Sequence, residues 1–161
     1  GFVKVPLRTG SYSVGGKVYA WRSPVLTARS DLPPGSATFS ATSIDAAGNI
    51  GAPTVAAVTV ENTPPSITVT SPLPSATLTA PQTLGVTATD AQTGVDLVVW
   101  EYAPTGTTAW TTIAAVTAAP FGATWDTTVV PAGTYDLRVT ATDGAGNTAS
   151  TTVVGVVRAA P

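Results

Sequence analysis

Cysteine, histidine and methionine are all absent from the 161 residues, and only 10% of the side chains are charged. Without thiols there is no disulfide and no thiolate nucleophile. Without imidazole there is no histidine base and no Cys/His zinc site. The missing cysteines leave the compartment open, because secreted proteins often carry disulfides without needing them. The missing methionine means that Gly1 is not a translational start, as expected of a processed chain or a fragment. Long apolar runs are lacking too. No stretch reaches the roughly 20 residues that a bilayer-spanning helix requires, and no signal-peptide pattern remains, so no membrane insertion is expected.

Charge is scarce and unevenly placed. The net charge is −2 and the pI about 4.7, which argues against a nucleic-acid partner. Lys4, Arg8, Lys17, Arg22 and Arg29 all precede the first acid, Asp31, so residues 1–30 carry +5 and the remainder −7. Solvated strand faces are the plain reading of this asymmetry. A basic head complementary to an acidic tail, steering end-to-end association, is the sharper one.

The chain is rich in threonine, alanine and valine, together nearly half of it, punctuated by 15 Gly and 14 Pro. Apolar residues recur with period two, as in Val3-Val5-Leu7, Val98-Trp100-Tyr102 and Tyr135-Leu137-Val139-Ala141, and no window sustains a helical apolar stripe. The expected fold class is all-β. Residues 32–49 also align without gaps on residues 130–147, 98 positions later. Both copies read as a Pro/Gly turn, an alternating strand and an Asp-x-x-Gly-Asn tip (Asp45–Asn49 and Asp143–Asn147). In such a tip glycine supplies a positive φ and the carboxylate accepts local backbone N–H bonds. The stretch Glu61-Asn62-Thr63-Pro64-Pro65 separates the copies as an extended, proline-stiffened link.

Several segments together carry a family likeness. They are Thr63–Pro72, Thr87-Ala88-Thr89-Asp90, Thr93-Gly94-Val95, Ala119–Thr128 and Gly133-Thr134-Tyr135 through Asn147. With these, residues 66–157 resemble a bacterial immunoglobulin-like repeat of the kind strung in tandem through surface and secreted proteins, and residues 23–60 match it in part. The resemblance implies two tandem immunoglobulin-like β-sandwich domains, over 1–62 and 63–161. It implies stalks, spacers and fibres rather than chemistry, in an extracellular or cell-surface location. Within such a sandwich Trp100 is the expected central aromatic, with Tyr102 on the same face. Tyr135 sits where a tyrosine corner would anchor its hydroxyl, and Leu137 and Val139 continue the buried face.

The first copy is short at its front end. Subtracting 98 puts residue 1 opposite Val99, leaving no counterpart of residues 63–98, which supply the first two strands (A and B). A hairpin through Gly15-Gly16 is expected over residues 3–22. The incomplete domain would still expose a sheet edge, a site for association. It is either part of a longer array or is completed by the next subunit through donor-strand addition, with Val3, Val5 and Leu7 as the assembly strand. Head-to-tail addition is open-ended and builds a filament from copies of the chain.

The acids read as turn caps, without the paired carboxylates across a cleft that a glycosidase needs, so no catalytic residue is assigned. A calcium ion is the alternative use. Two loops of an immunoglobulin-like sandwich share the end where the chain enters, so Asp90, Asp96 and Asp143 would approach Glu61 of the linker, with Asp31 from the upstream domain. Cadherin-like rods place interdomain calcium there. Trp21, Trp110 and Trp125 leave carbohydrate stacking open. The sequence therefore points to a non-enzymatic extracellular structural protein, a subunit of a fibre or pilus-like filament. The alternatives are a spacer or adhesion module of a longer surface protein, or a carbohydrate-binding accessory domain.

Overall fold

The computed structural model describes residues 8–14, 17–22 and 32–160, the first two spans by strand path alone. Val3, Val5, Leu7, the Gly15-Gly16 turn and Asp31 lie outside the described residues. Two compact units divide the chain, residues 1–33 and 34–161. In the first, β1 (Arg8–Val14) and β2 (Lys17–Arg22) pair antiparallel, with Val14 opposite Lys17.

The second unit holds β3 (Gly35–Ala41), β4 (Thr54–Val60), β5 (Ser66–Ser71), β6 (Gln82–Thr89), β7 (Val95–Pro104), β8 (Thr111–Val116), β9 (Ala123–Trp125), β10 (Gly133–Asp143) and β11 (Thr148–Arg158). A single 3₁₀ turn, Thr127–Val129, is capped by Asp126, whose carboxylate accepts the Thr128 N–H. The order β11-β10-β7-β8 makes one sheet and β5-β6-β9 the other, while β3 and β4 form a separate two-stranded ribbon. The all-β class expected from period two is observed, with sheets arranged in the sandwich-like manner that the resemblance implied. No helix among the described residues is long and apolar enough to cross a membrane.

Alternation is what fills the core. Along β10, Tyr135, Leu137, Val139, Ala141 and Asp143 are buried, whereas Asp136, Arg138, Thr140 and Thr142 are only partly covered on the other face. Val98 and Trp100 of β7 sit beside them, fully buried, and Tyr102 is half-buried. Leu84 and Trp125 of the other sheet, with Phe121 just ahead of β9, complete the core. Each fully buried large apolar side chain is worth about 1.5–3 kcal/mol, which lets the sandwich stand without a disulfide.

Two polar groups inside this core are matched. The Trp100 indole N–H donates to the Phe121 carbonyl at 3.0 Å, and the Tyr135 hydroxyl donates to the Pro131 carbonyl at 2.9 Å, a tyrosine corner. Tyr102 stacks on Trp125 at 4.9 Å and meets Tyr135 edge-on at 5.8 Å. After β5, residues 75–78 run alongside the end of β11 in a short parallel contact. Ser75 N–H donates to Val154 O at 3.1 Å, Leu78 N–H to Val157 O at 2.8 Å and Val157 N–H to Ala76 O at 2.8 Å.

Candidate functional site

The end of the sandwich that receives the β4–β5 linker is built on the β10–β11 tip. Gly146 takes φ +91°, a conformation that side chains disfavour, and this brings Asn147 back over Asp143. Asp143 Oδ1 accepts the N–H groups of Ala145 (2.9 Å) and Asn147 (2.8 Å), and its Oδ2 accepts the Asn147 side-chain amide at 2.8 Å. Burial pushes the Asp143 carboxyl up and the Asp90 charge adds to that. The hydrogen bonds from Asn147 and Ala145 outweigh both, and its pKa lies below the ordinary 3.8.

Asp90 follows β6 directly and organises the next loop. Its Oδ1 accepts N–H groups from Gln92 (3.1 Å), Thr93 (2.8 Å) and Gly94 (3.0 Å), and these bonds, Thr93's foremost, hold its pKa down against partial burial. The two loops are tied together where Gly144 N–H donates to Gly94 O at 3.2 Å. Space there is tight, since a Cβ at Gly144 would meet Thr93 O at 3.0 Å and lie 3.8 Å from Asp96 Oδ1.

Glu61, the first residue of the linker, comes down onto this pair of loops. Asn147 Nδ2 donates to its backbone carbonyl at 3.3 Å while holding Asp143. Glu61 Oε1 accepts the N–H of Thr63, and Oε2 is buried without a hydrogen-bond partner. The carboxylates of Glu61, Asp90 and Asp143 offer oxygens that all lie within 4.8 Å of one another. Three like charges so close repel, and a buried unpaired carboxylate oxygen is costly. A divalent cation relieves both. Calcium takes 6–8 oxygens at roughly 2.3–2.6 Å, so ligands to one ion lie within about 5 Å of each other, and this oxygen set fits it.

Of the five acids proposed from the sequence, the structure thus gathers three. Asp96 borders the same loops near Gly144 but stands outside the trio, and Asp31 lies outside the described residues. Sequence reasoning assigned Asn147 to its turn and missed its bond to the linker. It also missed a surface cluster. Arg138 on β10 faces Glu101 on β7, its Nε and Nη2 reaching Glu101 Oε2 at 2.8 and 2.7 Å, and its guanidinium lies 4.4 Å over the Trp110 ring. Trp100 and Trp125 are buried, while Trp110 is half-buried with the Arg138 guanidinium over its ring.

Comparison with known proteins adds a likeness over part of the chain. Residues 65–139 match the family described as bacterial Ig domain. No curated protein matches the chain. Among solved structures the chain is similar to the fibronectin(III)-like modules of CbhA from Clostridium thermocellum. The identity is 16% and the TM-score 0.52, over 98% of this chain and 81% of that one. At that identity the likeness concerns the fold alone.

Proposed function

With residues 65–139 identified as a bacterial Ig domain, a kind of domain that is typically non-catalytic and common in surface or extracellular proteins, we propose that the chain is a spacer or adhesion module of a longer extracellular or cell-surface protein, doing no chemistry of its own. The observation that carries this is the hydrogen bond from Asn147 to the Glu61 carbonyl, which fastens the linker to the sandwich tip. A spacer transmits position only if its links are held, and this link is held by the module it leads into.

Calcium at Glu61, Asp90 and Asp143 would reinforce that hold. These residues would bind the ion, with Asn147 keeping the Asp143 carboxylate and the linker backbone in place. Affinities of extracellular calcium modules are on the order of 10⁻⁴–10⁻³ M. In 10 mM calcium the thermal midpoint of the full chain should rise by about 3–11 °C over the chelated state. Glu61→Gln combined with Asp90→Asn should abolish the rise. An equal midpoint with and without calcium would remove the ion from the reading and leave the spacer standing.

The second reading is a fibre subunit polymerised head to tail by strand addition. The solvent-facing β3–β4 ribbon favours it, being paired to no third strand in its unit. Negative-stain microscopy with light scattering decides. Regular filaments that disappear when residues 1–10, with Val3, Val5 and Leu7, are deleted support the fibre; a monodisperse 16.1 kDa particle rejects it.

A further inference from the structure

The two facing sheets of the sandwich have four edges, and these are guarded unequally. Residues 75–78 run along β11 and bond to it. β5 lies between Pro64-Pro65 and Pro72, and β9 spans only three residues. β8 is the fourth edge, and among the described residues nothing pairs with its outer side. Its sequence, Thr-Thr-Ile-Ala-Ala-Val, carries no charge and no proline, two of the devices that keep edge strands from pairing.

A third device, the bulge, is present. Trp100 pairs with Ala114 and Glu101 with Thr112, so Ile113 is the extra residue of β8. Thr111, Ala114 and Val116 stand opposite Tyr102, Trp100 and Val98 on the core face, and Ile113 packs against the core as well. Thr112 and Ala115 are exposed and stand opposite Glu101 and Val99 on the outer face. From 111 to 116 the side chains therefore run in, out, in, in, out, in. That order is the same read from either end. A regular strand laid beside β8 alternates without interruption, so it matches one half of the order and opposes the other. A second β8, run antiparallel about a two-fold axis between Ile113 and Ala114, matches throughout. Ile113 then faces Ala114 of the second copy on the core side, Thr112 faces Ala115 on the outer side, and Thr111 faces Val116. No like charges meet.

We infer that β8 is a self-recognition edge: two copies of this chain pair β8 to β8 about that two-fold axis, joining their four-stranded sheets into one continuous sheet. The bulge turns ordinary strands away and selects the copy, because a strand with the same irregularity in the same place presents the matching order. The contact is isologous and closes on itself, so it gives a dimer and does not propagate. Its small extent places it among transient interfaces, below about 1,200 Å². It uses neither the linker site nor residues 1–31, and it stands whether the chain is a spacer or a fibre subunit.

The lack of native cysteine makes the register testable. Thr112→Cys and Ala115→Cys, both at exposed positions, are made in separate full chains, mixed at high concentration and oxidised. In the inferred pair these two positions face each other with Cβ atoms about 5 Å apart, whereas each lies about 10 Å along the strands from its own equivalent, beyond disulfide reach. The expected result is a mixed disulfide dimer in about tenfold or greater excess over either homodimer. In sedimentation equilibrium the unmodified chain should move from 16.1 kDa toward twice that mass as its concentration rises. Thr112→Lys should weaken the association by about tenfold, and Thr112→Lys with Ala115→Glu should restore it, since the new charges meet across the axis. Disulfide dimers in statistical proportions, or none, overturn the inference. So does a chain that stays at 16.1 kDa throughout, or an association that is lost when residues 1–10 are deleted, which belongs to the fibre contact instead.

Discussion

Asn147 donates its side-chain amide both to the carboxylate of Asp143 and to the backbone carbonyl of Glu61, 86 residues earlier in the chain. Among the described residues its repeat counterpart Asn49 shows only the first kind of side-chain contact, to Asp45. Asn147→Ala should therefore cost about 1–2 kcal/mol in urea unfolding followed by the buried Trp100 and Trp125, one to two hydrogen bonds' worth. Asn49→Ala should move the same transition by less than about 0.5 kcal/mol. Equal effects would mean that the linker contact adds nothing.

Removing the indole N–H at position 100 tests the core's internal polar pairing. Trp100→Phe leaves a void and deprives the buried Phe121 carbonyl of its donor, for a loss of about 2–4 kcal/mol. Tyr135→Phe removes only the bond to Pro131 and should cost about 1 kcal/mol. Denaturant midpoints of the two variants give the comparison, and Trp100→Phe should be the more damaging.

Acid should loosen both hairpin tips and the Asp90 loop. The carboxyl pKa values of Asp45, Asp90 and Asp143 lie below 3.8; the side-chain bond from Asn49 is the main cause for Asp45. A carboxyl with a lowered folded pKa contributes stability that is complete above its unfolded value and is lost as pH falls through the folded one. Stability should thus be flat from pH 7 to about 5 and decline below about 4. Asp143→Asn should be less stable at neutral pH and show a shallower decline, measured as urea midpoints between pH 2 and 7.

Arg138→Ala should uncover Trp110 and shift its emission to the red. The stability cost should be below about 1 kcal/mol, since a partly exposed ion pair and a cation over a ring contribute little each. An unchanged spectrum would mean that the guanidinium does not shield the indole in solution.

Much of the fold could be read from local rules. Period two placed Leu137, Val139 and Ala141 on one face, and the structure buries all three. The Asp-x-x-Gly-Asn tips followed from glycine's freedom at positive φ and the reach of a carboxylate to nearby N–H groups. The gathering of Glu61, Asp90 and Asp143 was legible because sandwich topology sends the linker and two loops to one end. What escaped depends on register or on distance in sequence. Arg138 meets Glu101 because β10 and β7 are paired at that position, and no spacing rule reveals it. The second bond of Asn147 needs the linker folded back against the tip.

The parallel contact between residues 75–78 and the end of β11 bears on what happens when the module is pulled. Force applied through the linker at one end and beyond Arg158 at the other draws these two segments in opposite directions along their length. Three backbone bonds at 2.8–3.1 Å then carry the load side by side and must fail together. An antiparallel hairpin opened from its free end gives way one bond at a time. The path of the chain thus turns a modest patch of hydrogen bonding into a mechanical clamp, oriented along the direction in which a tethered spacer is stretched.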